Sequence, residues 1–167
     1  CGERTNHWVF PQDLTNDCGK IHRLRRDGSI PDDNPFSTAS RVSSIYAFGN
    51  RNPQGLVINY ETGELWEHEH GPKGGDELNL ILPGRNYGWA AHTYGIDYDG
   101  TPWKVDSSVT GIEAPMHHWI PSIAPGGLAL VKRPDSGGDS LGDAGAQANA
   151  FSRWWGGDFL IGSLAFS

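Results

Sequence analysis

The 167-residue chain lacks the features that anchor a protein to a membrane or to nucleic acid. No apolar run approaches the roughly 20 residues that a spanning helix needs. Lysine and arginine total 13 against 20 aspartates and glutamates, a net charge of -7; a nucleic-acid surface normally declares itself as a basic patch. Only two cysteines occur, Cys1 and Cys18. They are enough for one disulfide in an oxidising compartment, and at this level paired and free thiols both stay open. No signal peptide is visible, and the chain does not begin with methionine. The opening Cys-Gly-Glu-Arg reads as the interior of a longer sequence, so an export signal is expected, if anywhere, in a beginning that has been removed.

What is present is glycine, proline and tryptophan: 23, 11 and 7 residues. The first two are the poorest helix formers, and no heptad or long helical period appears. A turn-rich, aromatic-rich all-β chain follows. Strands are expected at 18–24, 45–48, 56–60, 64–67, 78–82, 114–119, 128–132 and 159–164. Glu61-Thr62-Gly63 closes a hairpin, with glycine where the turn needs positive φ. Residues 94–103 and the Gly/Asp/Ser/Ala-rich stretch 135–147 read as loops, and no internal repeat is evident by eye.

Three phrases concentrate the polar chemistry: Gly-Asn-Arg-Asn-Pro-Gln-Gly at 49–55, Glu-His-Gly-Pro-Lys-Gly-Gly-Asp-Glu-Leu-Asn at 69–79 and Gly-Arg-Asn-Tyr-Gly-Trp at 84–89. Each follows or interrupts a short apolar run, and polar loops at strand ends are where a β-scaffold carries function. Arg51 offers a rigid fork of donors for carboxylate or quinone oxygens, and Asn52 an amide beside it. The bland alternative is an arginine paired with a nearby acid and an asparagine capping a turn. Gly71-Pro72 is by default a plain turn, and Asp76-Glu77 a solvated acidic one. His68 and His70 would share a strand face and His117 and His118 would not; none has the spacing of a zinc motif. Trp66, Trp89, Trp103, Trp119, Trp154 and Trp155 form either a sugar-stacking wall or, the more ordinary reading, packing between sheets.

These phrases, in this order, resemble the soluble, pyrroloquinoline-quinone (PQQ) dependent sugar dehydrogenases of the glucose/sorbosone dehydrogenase family. Further matching text flanks them: Gly-Lys-Ile-His-Arg-Leu-Arg-Arg-Asp-Gly-Ser-Ile-Pro-Asp-Asp-Asn-Pro-Phe at 19–36, Ile-Pro-Ser-Ile-Ala-Pro at 120–125 and Gly-Asp-Phe-Leu-Ile-Gly-Ser-Leu at 157–164. The resemblance covers nearly the whole chain. It implies part of a six-bladed β-propeller of four-stranded antiparallel blades. At about 40–50 residues per blade, residues 1–167 would supply roughly three to four blades and no second domain.

The same resemblance implies the site. Arg51 and Asn52 would touch PQQ. The backbone carbonyls of Gly71 and Pro72 would hold a cofactor-side calcium, and the Glu77 side chain with the Tyr87 carbonyl a second, structural calcium, with Asp76 adjacent. Calcium accepts oxygen donors of both kinds. The reaction implied is oxidation of an aldose at C1 to the lactone, with electrons passed to an external acceptor, in the periplasm or outside the cell. The family's catalytic histidine would lie before Cys1, so no catalytic residue is expected in this chain and the fragment alone is expected to be inactive. Ala165 stands where a cofactor-contacting lysine often follows Gly-Ser-Leu. That departure favours the alternative, a non-catalytic propeller module that binds a protein or glycan partner. The sugar and the oligomeric state are not legible.

Overall fold

A computed structural model describes residues 8–133 and 156–164. Cys1, Trp154, Trp155, Ala165 and the stretch 135–147, on which parts of the sequence reading fall, lie outside them. A short 3-10 turn, Phe10–Gln12, precedes eight strands: β1 (Lys20–His22), β2 (Ile45–Phe48), β3 (Pro53–Ile58), β4 (Leu65–Glu69), β5 (Asp76–Ile81), β6 (His117–Trp119), β7 (Pro125–Leu130) and β8 (Phe159–Ser163). The described residues contain no α-helix. The strands pair antiparallel in three sheets, β1-β2, β3-β4-β5-β6 and β7-β8, the middle one a four-stranded meander. Gly63 takes φ 77° at the β3–β4 turn, as the hairpin reading requires.

β2 falls where the apolar run placed it. Elsewhere the bounds move toward polar residues: β3 starts at Pro53, β4 runs on to Glu69 and β5 starts at Asp76. The cause is burial. Asp76-Glu77 reads by default as a solvated acidic turn, yet Glu67, Glu69, Asp76 and Glu77 are all buried.

The β4–β5 register explains how. Leu65, Glu67 and Glu69 lie opposite Ile81, Asn79 and Glu77, and by the two-residue period of a strand these six share one face. At one end of that face Leu65 and Ile81 join Ile21, Ala47, Tyr46 and Tyr87 in the apolar core. Toward the other end the same layer becomes polar, and there the candidate site sits.

Lys20 ties the chain's start to this core. Its buried ammonium donates to the carbonyls of Phe10 (2.7 Å), Pro11 (3.0 Å) and Cys18 (2.7 Å). Burial pushes its pKa down to about 8. Cys18 itself is disulfide-bonded. Lys20→Met removes a charged donor from three carbonyls at once and is expected to destabilise the fold by about 2–4 kcal/mol. A urea melt measures it; a midpoint unchanged from wild type would show that water replaces the ammonium without cost.

Candidate functional site

The site is assembled by a stretch that is not itself a strand. Residues 85–89 run alongside the end of β2, with Phe48 N donating to Arg85 O (3.1 Å), Tyr87 N to Phe48 O (2.8 Å) and Trp89 N to Gly49 O (2.8 Å). Gly49 makes the approach possible. It adopts φ 79°, and a Cβ there would lie 2.2 Å from Asn86 Oδ1, far inside van der Waals contact. This lacing brings Tyr87 and Trp89 beside Arg51, 36 and 38 positions later in sequence than the residue they meet.

Arg51 is 4% exposed and held on three sides. Nη1 donates to His70 O (2.9 Å), Nη2 to the Tyr98 hydroxyl (3.1 Å), and the guanidinium carbon lies 5.1 Å from the Trp89 ring centroid. With Gly71, Pro72, Lys73 and Tyr98 it lines a cavity of about 440 Å³. With Trp8, Trp89 and Trp103 it lines a second of about 390 Å³. Both volumes fall in the range of ordinary small-ligand sites. The sequence-predicted Arg51, Gly71 and Pro72 therefore meet at one cavity. Asn52 lines neither: its Oδ1 accepts from Gln54 Nε2 (3.1 Å) and its backbone N–H goes to Glu69 (2.9 Å).

The loop that presents Gly71 and Pro72 is packed backbone against backbone. A Cβ on Gly71 would lie 2.3 Å from Gly74 O and 2.4 Å from Gly75 O, so no larger residue fits. Asp76 fixes this loop. Its Oδ1 accepts from Gly71 N (2.9 Å), and its Oδ2 from Ser122 Oγ (2.6 Å), Ile123 N (2.9 Å) and Ala124 N (2.9 Å). Both oxygens are engaged, which makes Asp76 a loop staple and not a free cation ligand.

Glu77 and Tyr87 are brought together. They line a small cavity of about 10 Å³, the space one water or a monatomic ion needs. Glu69 lines it too and was not singled out from sequence, where it reads as one more charge in Glu-His-Glu-His. Glu69 Oε2 accepts the backbone N–H of both Arg51 and Asn52. Glu67 lies behind: Asn79 Nδ2 bridges Glu67 Oε2 (3.1 Å) and Glu77 Oε2 (3.4 Å), while Glu67 Oε1 and Asn79 Oδ1 are buried without a hydrogen-bond partner.

Burial raises all three carboxyls above the ordinary 4.5: Glu67 to about 8, Glu77 to about 7, and Glu69 well up, where the charges of Glu67 and Glu77 add to burial. Crowded carboxylate oxygens and orphaned acceptor atoms suit a hard cation such as calcium. Among the described residues no three His, Cys, Asp or Glu side chains form a ready-made metal cluster. His70 Nε2 lies 2.8 Å from Pro125 O and His118 stacks on Tyr94 at 4.2 Å. The tryptophans divide between the two readings. Trp66 packs on Phe159 of β8 (4.8 Å), whereas Trp8, Trp103 and Trp89 form a continuous aromatic wall at 5.0 and 4.6 Å along the second cavity.

The Glucose / Sorbosone dehydrogenase family model matches residues 1–167. The chain is 46% identical over 122 residues to aldose sugar dehydrogenase YliI of Escherichia coli K12, covering 71% of this chain and 33% of that protein. It thus spans about a third of that relative's length. The apo crystal structure of the soluble aldose sugar dehydrogenase of Escherichia coli superposes with TM-score 0.76 at 37% identity, over 95% of this chain and 42% of that one. The PQQ-bound aldose sugar dehydrogenase of Streptomyces coelicolor superposes with TM-score 0.59 at 31% identity, over 75% and 33%.

Two outcomes are expected. Asp76→Ala removes the acceptor of four hydrogen bonds and should cost about 3–5 kcal/mol, with Asp76→Asn between it and wild type; equal urea midpoints for all three would remove the staple. The raised carboxyls set a pH dependence in metal-free protein. The folded state keeps protons that the unfolded chain loses above about 4.5, so stability is fully present below that value and is lost as pH rises through about 7 to 8. Denaturation midpoints in EDTA should fall between pH 5 and pH 8; a rise over that interval would contradict the buried trio.

Proposed function

The chain belongs to the Glucose / Sorbosone dehydrogenase family, and from that membership we propose that the whole protein is a PQQ- and calcium-dependent dehydrogenase oxidising an aldose at C1 to the lactone. The observation that carries the reading is Arg51. A buried arginine, clamped by a carbonyl, a phenol and an indole face, opens on a cavity it shares with Gly71, Pro72 and Lys73. A fixed guanidinium and an exposed ammonium lining one cavity suit a small polyanionic ligand.

In this reading PQQ, when bound, supplies the two-electron acceptor for the sugar's C1 hydride, and calcium a Lewis acid beside it. The chain's own residues bind and orient. Arg51 is held in one orientation, because Nη1 and Nη2 each donate to a fixed partner and the guanidinium carbon lies over Trp89. Gly71 and Pro72 offer carbonyls from a loop that Asp76 prevents from moving. Glu77 and Tyr87 would hold a second calcium, whose charge would offset the carboxylates behind them. Asn52 acts beside Arg51 through its backbone, with its side chain at the rim. The proton of the C1 hydroxyl falls to a histidine expected before Cys1, and electrons pass on to an external acceptor.

The four-stranded β3–β6 meander has the form of one blade, and we read the whole as a β-propeller of six. Export to the periplasm or beyond fits the disulfide at Cys18. No helix among the described residues is long and apolar enough to cross a membrane.

Dye-coupled oxidation of aldoses by the full-length protein, with and without PQQ and calcium, tests the reading; activity that needs neither would overturn it. Arg51→Ala is expected to lower kcat/KM by about 10²-fold or more and to weaken PQQ binding. Unchanged turnover together with unchanged PQQ affinity would remove Arg51 from the site.

A further inference from the structure

The cation reading leaves one buried carboxylate without a role. Glu69 lies directly opposite Glu77 in the β4–β5 register, both are nearly solvent-free, and both line the small cavity with Tyr87 and Arg51. Like charges set opposite each other on neighbouring strands repel, and a dry interior magnifies the repulsion. At the same time Glu69 Oε2 accepts the N–H of Arg51 and of Asn52, and the adjoining His70 both donates its N–H to Asn52 O (3.2 Å) and accepts from Arg51 Nη1 (2.9 Å). One end of this side chain's interactions is thus the turn that carries the cofactor arginine; the other is the cavity of the second cation.

We infer that Glu69 is a shared residue of that cation site and a positioning residue for Arg51, so that filling the Glu77–Tyr87 site tightens the Arg51–Asn52 turn. The inference rests on the calcium reading above. The geometry allows one carboxylate to serve both sides. Oε2 caps two consecutive backbone donors, leaving Oε1 for the cation. A cation drawn to Glu77 and Glu69 together replaces their repulsion with a common attraction and fixes the Glu69 side chain, which in turn fixes the two N–H groups it holds. Arg51 then meets its ligand with its backbone already set. The small cavity and the cofactor cavity both include Arg51, His70 and Gly71, so the path is a matter of two hydrogen bonds, not of a distant relay.

The test uses full-length protein free of PQQ, with calcium as the probe. Calcium affinity is read by calorimetry and the Arg51 and Asn52 amides by hydrogen exchange, in calcium and in EDTA. In wild type, calcium should slow exchange at both amides. Glu69→Gln, which keeps the side chain's shape and an acceptor oxygen, should bind calcium about 10-fold more weakly or worse and lose the calcium-induced slowing. Glu77→Gln should lose it as well. Glu61→Gln, in the exposed β3–β4 turn, should change neither. The wild-type comparison needs no variant to fold: calcium that binds yet leaves both amides unaltered overturns the coupling while the calcium reading stands. Calcium affinity unchanged in Glu69→Gln removes it from the cation site. A wild type that binds no calcium at all overturns the cation reading, and this inference with it.

Discussion

The site depends on the carboxylate of Asp76. It sits at the first residue of β5, in the middle sheet, and accepts four hydrogen bonds from two separate loops: the one that carries Gly71 and Pro72, and the one at 122–124 that leads into β7. Loops of this kind expose backbone donors that no ladder satisfies, and buried donors must find partners. A single strand-borne acid supplies them. Because its position is set by the β4–β5 and β5–β6 pairings, the loops inherit the rigidity of the sheet. Gly71 can then be pressed against Gly74 and Gly75, and the loop stays where the strand puts it.

Around that anchor the interior is divided in a way that separates stability from function. The apolar core is small: Ile21, Ala47, Ile81 and Tyr87, with Tyr46 and Leu65 at its margin. The same sheet face continues into Glu67, Asn79, Glu69 and Glu77, where burial is complete and polarity maximal. Tyr87 joins the two halves. Its ring belongs to the apolar cluster, its hydroxyl donates to Leu80 O and accepts from Leu82 N, and it also lines the small cavity. Meanwhile Leu56, Ile58, Leu160 and Leu164 stand exposed. That distribution suits a chain whose outer faces meet further sheets, as the fraction of its relatives that it spans would suggest.

Much of this was legible in the sequence, for local reasons. The run at 45–48 is apolar and flanked by turns, Glu-Thr-Gly closes a hairpin, and the three glycine-rich phrases point to the loops that line the cavities. What was not legible arises from long-range pairing. Tyr98 meets Arg51 across 47 positions, and nothing local marks a tyrosine in a loop of aspartates and glycines. Trp103 joins the aromatic wall because Nε1 donates to Ala90 O (2.9 Å), again a contact no period encodes. The burial of the acids was hidden for a physical reason. Glu67, Glu69 and Glu77 carry a composition that belongs on a surface, and only the register shows that they share one buried face.

The buried acids explain why this region resists description as either core or surface. Three carboxyl groups buried within two strands cannot all be ionised without a compensating positive charge, and cannot all be protonated near neutral pH without holding protons far above their ordinary range. Arg51 lines the small cavity beside Glu69 and Glu77, and two of its donors go to the His70 carbonyl and the Tyr98 phenol, which fix its direction. A fold that needed only stability would have continued Leu65 and Ile81 with more apolar pairs along the same face. Placing Glu67, Glu69 and Glu77 there instead gives up apolar burial for a buried acidic layer beside Arg51 and Gly71.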